Sequence, residues 1–172
     1  MPTVAMVEYD QASPAVRAVY DDIMAPKSID FVPNFWKTLG SHPQLLEEVW
    51  RSLSQAMTPG RLNALTKEMI ALAVSATNGC TYCIRSHTAA ARKLGMDDEA
   101  LGELMAVVGT FNQTNRLADG YQVEVDSQLI AATENGGTQV GVLEGRRIRE
   151  RTRGGSRKPG RPFRSRSRAS AG

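Results

Sequence analysis

Thiols and imidazoles are scarce in this chain, with two cysteines and two histidines in 172 residues. Two cysteines lying close together read as redox or metal-binding groups rather than as a structural staple. No apolar run approaches the roughly 18–20 residues of a membrane span, which speaks against a membrane protein. The first ten residues hold neither a basic patch nor an apolar core, so no signal peptide is read and a cytoplasmic location is expected. Alternation of period two is almost absent, which argues against sheet and for an all-α class.

What is present falls into two compositional zones. The 41% hydrophobic content suits a globular protein, and the length suits one domain with a real core. The formal net charge of +3 conceals a split: residues 1–142 hold 10 basic and 16 acidic residues, and residues 143–172 hold 11 and 2. The sequence therefore predicts a compact, mildly acidic helical domain over residues 1–126 and a weakly structured connector over 127–144. A disordered Arg/Gly/Ser-rich tail over 145–172 is expected to follow, with too little apolar surface to offset its ordering entropy. Such a tail is most simply a solvated one. Nucleic-acid binding through phosphates is the alternative, with Lys158 to Pro162 faintly like a minor-groove hook.

Apolar spacing and breakers place the helices. Ser13-Pro14 reads as N-cap and first residue of a helix to about Met24, with Val16, Val19, Tyr20 and Ile23 inward. Pro26 and Pro33 bracket a loop. A short helix opens at Pro33-Asn34-Phe35-Trp36 and ends at Gly40. A clearer one starts at His42-Pro43, with Leu45, Leu46, Val49, Trp50, Leu53 and Met57 on one face. After a turn at Thr58-Pro59-Gly60, Leu62, Leu65, Met69, Ile70, Leu72, Ala73 and Ala76 mark a helix that Asn78-Gly79 stops. The next carries Cys80, Cys83, His87, Ala90, Ala91 and Leu94 to Gly95. Leu101, Leu104, Met105 and Val108 mark another, a further helix is expected from about Thr110 to Asp119, and one helical turn over Gln128 to Ala132.

The chemistry concentrates at the bend between the two central helices. Residues three and four apart share a helix face, so Cys80 meets Cys83 and Cys83 meets His87. Glu68 lies about as far before the bend as His87 lies after it, which sets a carboxylate and an imidazole at similar heights on antiparallel helices. Both cysteines occupy a first turn, where the macrodipole favours a thiolate. His87 can take the Cys83 proton and Glu68 can orient the imidazole. A thiolate attacking a peroxide becomes a sulfenic acid, which a second thiol condenses to a disulfide. These residues point to two-cysteine peroxide reduction or dithiol–disulfide exchange. Zinc held by the same four side chains ranks lower, because three of them lie within eight residues of one helix.

The pattern Glu68, Cys80-Thr81-Tyr82-Cys83, His87 resembles the core of the alkylhydroperoxidase D family, within the carboxymuconolactone decarboxylase superfamily. Residues 67–75 and 87–95 agree with it, and the likeness extends less sharply from Pro33 to Asp126. The resemblance implies Cys83 as the peroxidatic thiol, Cys80 as the resolving one, and His87 with Glu68 as the proton relay. It implies a lipoyl-bearing or thioredoxin-like dithiol as reductant, a trimer or hexamer of identical chains, and no bound cofactor or metal. Decarboxylase branches lack the paired cysteines. The best-known members carry His where this chain has Tyr82, which is either a hydrogen-bond donor beside the thiols or a ring packed on a neighbouring helix.

Other polar and aromatic residues have plainer readings. His42 is a helix-boundary residue, Trp36 and Trp50 belong to the core or a subunit contact, and Arg85 lies on the surface. Asn115, Arg116 and Asp119 are packing or capping residues. Two rivals to peroxide reduction remain: a redox sensor or disulfide exchanger with little turnover, and a nucleic-acid module acting through the tail.

Overall fold

The computed structural model describes residues 3–134, and among them every regular element is a helix. It divides into two units, Met1–Val123 and Glu124–Gly172. The described part of the second unit contains one short helix, Ser127–Glu134. The basic tail and most of the expected connector lie outside the described residues.

A single 3-10 turn at Tyr9–Gln11 precedes the first helix. Six helices then build the first unit: α1 (Pro14–Lys27), α2 (Asn34–Leu39), α3 (Pro43–Met57), α4 (Ala64–Thr77), α5 (Thr81–Lys93) and α6 (Asp98–Gly120). Their starts follow local capping chemistry. The side chains of Ser13, Asn63 and Asp97 accept hydrogen bonds from backbone N–H groups inside the helices they open. Pro14 and Pro43 take first-turn positions, where a missing N–H costs nothing.

The core has two parts. Val16, Tyr20, Ile23, Val32, Trp36, Leu46 and Trp50 bury one another among α1, α2 and α3. Leu72, Ala91, Met96 and Leu104 form a smaller cluster among α4, α5 and α6. Asn112 Nδ2 donates to Thr77 Oγ1 at 3.0 Å, tying α6 to the end of α4.

Four sequence expectations require correction. The single turn expected over Gln128 to Ala132 is a helix of eight residues, Ser127–Glu134. Helix α1 runs through Pro26 to Lys27 instead of stopping at Met24, because a proline in the last turn forfeits only one hydrogen bond. The two helices expected between Asp97 and Asp119 are one, α6, continuous through Gly109. One interior glycine costs only about 1 kcal/mol, too little to break so long a helix. The apolar stripes are also less one-sided than the pattern suggests: Leu45, Leu62 and Ile70 are exposed.

Candidate active site

The bend between α4 and α5 is built by backbone bonding. Gly79 takes a positive φ of 69°, a left-handed conformation open to glycine at little cost. Its N–H donates to Ala76 O at 3.2 Å, and the Cys80 N–H donates to Ser75 O at 3.0 Å. These two bonds close a Schellman motif. Cys80 is thereby both the residue that completes the end of α4 and the N-cap of α5. Its Sγ accepts from the Cys83 N–H at 3.3 Å, so the sulfur does the work a serine oxygen does at other N-caps. With the Cα atoms of Cys80 and Cys83 5.3 Å apart, the two sulfurs are joined in a disulfide.

The rotation of α4 is set at its start. Lys67 Nζ donates to Ala56 O and Thr58 O, both at 2.6 Å, fastening α4 to the end of α3. Glu68 meets His87 across the helix pair, with Nδ1 and Oε2 2.7 Å apart. Both side chains are mostly withdrawn from solvent, at 17% and 24% exposure for Glu68 and His87. When Nδ1 donates to the carboxylate, Nε2 is left as the basic nitrogen of the ring. His87 lies one turn beyond Cys83 on α5. The four residues therefore meet as two pairs on adjacent turns: a disulfide at the helix start and a hydrogen-bonded imidazole and carboxylate behind it.

Beside the sulfurs opens a cavity of about 350 Å³, lined by Met6, Asn34, Phe35, Thr38, Cys80, Tyr82 and Cys83. Its walls are chiefly apolar. Tyr82 contributes more than a ring: its hydroxyl accepts from the Phe35 N–H at 3.3 Å, and the two rings lie 6.3 Å apart. The hydroxyl is thus engaged at the start of α2, as part of the cavity wall. Phe35 also stands edge-on to Trp36, at 5.0 Å.

The residues given plain readings sit accordingly. Trp36 and Trp50 are buried, His42 caps α3 without a side-chain bond, and Arg85, Asn115, Arg116 and Asp119 are exposed. Met6, Asn34, Phe35 and Thr38 escape a motif-based reading, because they reach the sulfurs from other segments and no sequence spacing marks their convergence.

The model for the carboxymuconolactone decarboxylase family matches residues 43–123. The crystal structure of the alkylhydroperoxidase AhpD core from Rhodospirillum rubrum aligns with a TM-score of 0.72 and 42% identity, covering 76% of this chain and 98% of that one. The chain belongs to the alkylhydroperoxidase-D-like family. A curated relative, the uncharacterized protein YdfG of Bacillus subtilis, is 42% identical over 40 residues, or 23% of this chain. That match spans only 27% of YdfG's own length.

Membership in the alkylhydroperoxidase-D-like family and the close cysteine pair fit a redox role. Among the described residues, no helix is long and apolar enough to cross a membrane.

Proposed function

We propose that the protein is a two-cysteine peroxidase acting on hydrogen peroxide or organic hydroperoxides. The observation that carries this reading is the coincidence of the Cys80–Cys83 disulfide at the start of α5 with the Glu68–His87 contact one turn further on. A structural hairpin requires neither pair.

In the reduced enzyme, His87 Nε2 takes the Cys83 proton, and Glu68 holds the resulting imidazolium. The Cys83 thiolate attacks one peroxide oxygen and the O–O bond breaks. The departing alkoxide or hydroxide takes a proton from His87 and leaves as an alcohol or water, with Cys83 now a sulfenic acid. Cys80 attacks that sulfur, expelling water and forming the disulfide. Two thiols of a lipoyl-bearing or thioredoxin-like donor then restore the pair, becoming a disulfide themselves. The Cys83 N–H directed at Cys80 Sγ stabilises the thiolate that leaves in this last exchange. The cycle requires no metal or organic cofactor bound to this chain.

The apolar walls beside the sulfurs favour a hydroperoxide with a hydrocarbon body over hydrogen peroxide. Tyr82 acts here as a wall rather than as a proton carrier. Ile70 and Val74 on α4, and Val107 and Phe111 on α6, are exposed. These outward apolar residues support assembly into a homo-oligomer.

The test is mass spectrometry after one equivalent of cumene hydroperoxide. A Cys80→Ser variant is expected to gain one oxygen on Cys83, and a Cys83→Ser variant to gain none. The rival role of redox sensor or disulfide exchanger draws support from the N-capped Cys80 sulfur, which suits a leaving thiolate. Stopped-flow oxidation of the reduced protein separates the two, since slow reaction with every peroxide would favour the sensor.

A further inference from the structure

The segment that precedes α1 is fastened to α2. The Val7 N–H donates to Lys37 O at 3.0 Å, and Val7 O accepts from the hydroxyl of the buried Tyr20 at 3.0 Å. Both backbone polar groups of Val7 are therefore engaged. One residue on, the Glu8 carboxylate pairs with Lys37 Nζ at 2.7 Å. The Val7 side chain packs against the aromatic core, beside Gly40, where an added Cβ would crowd it. The residue just before this anchor is Met6, which is partly buried and lines the cavity beside the disulfide.

That cavity has two helical walls. The sulfurs and Tyr82 form one from the start of α5, and Asn34, Phe35 and Thr38 on α2 form the other. The bond from the Phe35 N–H to the Tyr82 hydroxyl ties them together, and it gives α2 a cap that Pro33 does not supply. Of the lining residues, Met6 alone belongs to neither wall. We propose that Met6 is a specificity-determining residue: carried on the anchored segment before α1, its side chain is the third wall of the cavity and contacts the organic body of a hydroperoxide. Methionine suits this place, because a flexible, polarizable thioether fits bodies of differing shape and favours aromatic groups. Its anchored backbone lowers the ordering cost of each binding event. At about 350 Å³ the cavity lies at the small end of ligand sites, so it takes a compact aryl or branched alkyl body rather than a long chain. Hydrogen peroxide has no such body and is indifferent to Met6.

The catalytic part of this claim rests on the peroxidase reading, the binding part does not, and two measurements separate them. In the first, full-length oxidised protein, isotope-labelled at its methionine methyl groups, is titrated with cumyl alcohol, the product left by cumene hydroperoxide. The chain has seven methionines, and Met6→Leu identifies the Met6 signal by its loss. That signal is expected to shift saturably. The second measurement sets kcat/KM for cumene hydroperoxide beside that for hydrogen peroxide. Met6→Trp should lower the first value about tenfold or more and leave the second within about twofold, as expected of a steric mismatch in an apolar pocket. Met6→Leu, of similar volume, should leave both near wild type. Should Met6→Trp fail to fold, Met6→Ala replaces it, and its lost contact should lower the cumene value alone. A Met6 methyl unmoved by the alcohol, or an unchanged ratio of the two substrates in the folded variant, overturns the proposal. A saturable Met6 shift in a protein that turns over no peroxide would remove the peroxidase reading and leave Met6 as a binding residue. Turnover that is indifferent to Met6 would do the reverse.

Discussion

The two halves of the first unit are held together differently. Among α1, α2 and α3 the core is aromatic and dense, with Tyr20, Trp36 and Trp50 packed around Leu46 and Ile23. Among α4, α5 and α6 it is thin, with Leu72 and Met96 against Ala91 and Leu104. The second half also leaves Ile70, Val74, Val107 and Phe111 outward. The half with the sparser core carries the cysteines, the imidazole and the carboxylate. The denser half contributes the cavity wall through Phe35. The contrast suggests a division of labour: an aromatic scaffold stabilises the fold, while a lightly packed hairpin carries the groups that the proposed cycle moves between a disulfide and two thiols.

That contrast is open to a like-for-like measurement. Leu46 and Leu72 are both fully buried, each at 0% exposure. Leucine-to-alanine changes in cores cost about 2–5 kcal/mol, and the value depends on how far the surroundings collapse into the space left. The cluster that holds Leu46 includes the rigid rings of Tyr20, Trp36 and Trp50, so Leu46→Ala is expected near the top of that range. Around Leu72 the thioethers of Met69 and Met96 can move in, so Leu72→Ala should fall near the bottom. Urea unfolding of both variants decides it, and equal losses would erase the distinction.

The next effect isolates chemistry from packing. Glu68→Gln keeps the shape of the side chain but removes the charge that, in the proposed cycle, holds the proton-loaded ring of His87. Peroxide reduction is expected to fall by about a hundredfold, in the range for general acid–base partners, with a melting temperature close to wild type. A large drop in melting temperature would instead make the Glu68–His87 contact a structural bond of the hairpin.

A smaller effect, confined to alkaline pH, belongs to the aromatic half. Burial raises the pKa of Tyr20 above its ordinary value, and Glu8 adds to the shift. Its hydroxyl donates to Val7 O at 3.0 Å, a bond that the phenolate cannot make. A raised folded-state pKa means that the folded protein holds its proton more tightly than the unfolded chain. The associated stability is present below about pH 10 and is lost as pH rises through the folded-state value. Tryptophan fluorescence from Trp36 and Trp50 should report this alkaline loss. Tyr20→Phe should start slightly less stable at neutral pH, by about 1 kcal/mol for the lost hydrogen bond, and lose less on alkalinisation.

How much of this was legible in the sequence depends on how local each feature is. The hairpin was, because Gly79 and the helical spacing on either side are short-range signals. The approach of Glu68 to His87 followed from counting rise along antiparallel helices, and the structure sets them in contact at 2.7 Å. The seat of the Lys27 ammonium over the rings of Trp36 and Trp50 was not legible. It requires α1, α2 and α3 to meet, and a lysine at the end of an amphipathic helix looks like any solvated cation. The cavity wall was hidden for the same reason, since Met6 and Phe35 reach the sulfurs from outside the hairpin. Glycine plays two parts here: Gly79 and Gly95 adopt positive φ and end helices, whereas Gly109 lies inside α6.

Gly109 also supplies the smallest expected effect and a sharper form of the comparison. A Cβ built at Gly109 meets nothing within 4 Å, whereas one built at Gly40 runs into the Tyr20 hydroxyl and crowds Val7. In the aromatic half the glycine is a packing requirement, and Gly40→Ala should destabilise by overpacking, about 1–3 kcal/mol. In the hairpin half the glycine only weakens a helix, so Gly109→Ala should stabilise by up to about 1 kcal/mol. In an isolated protomer the added methyl meets no neighbour. Gly109 lies between the exposed Val107 and Phe111 on α6, however, and in an assembly that stretch could be covered by a second copy. Thermal unfolding paired with light scattering distinguishes the two situations. A gain in stability at unchanged mass would leave the methyl in water, and a loss of stability with a fall in mass would mean that the small residue is there to let another helix approach.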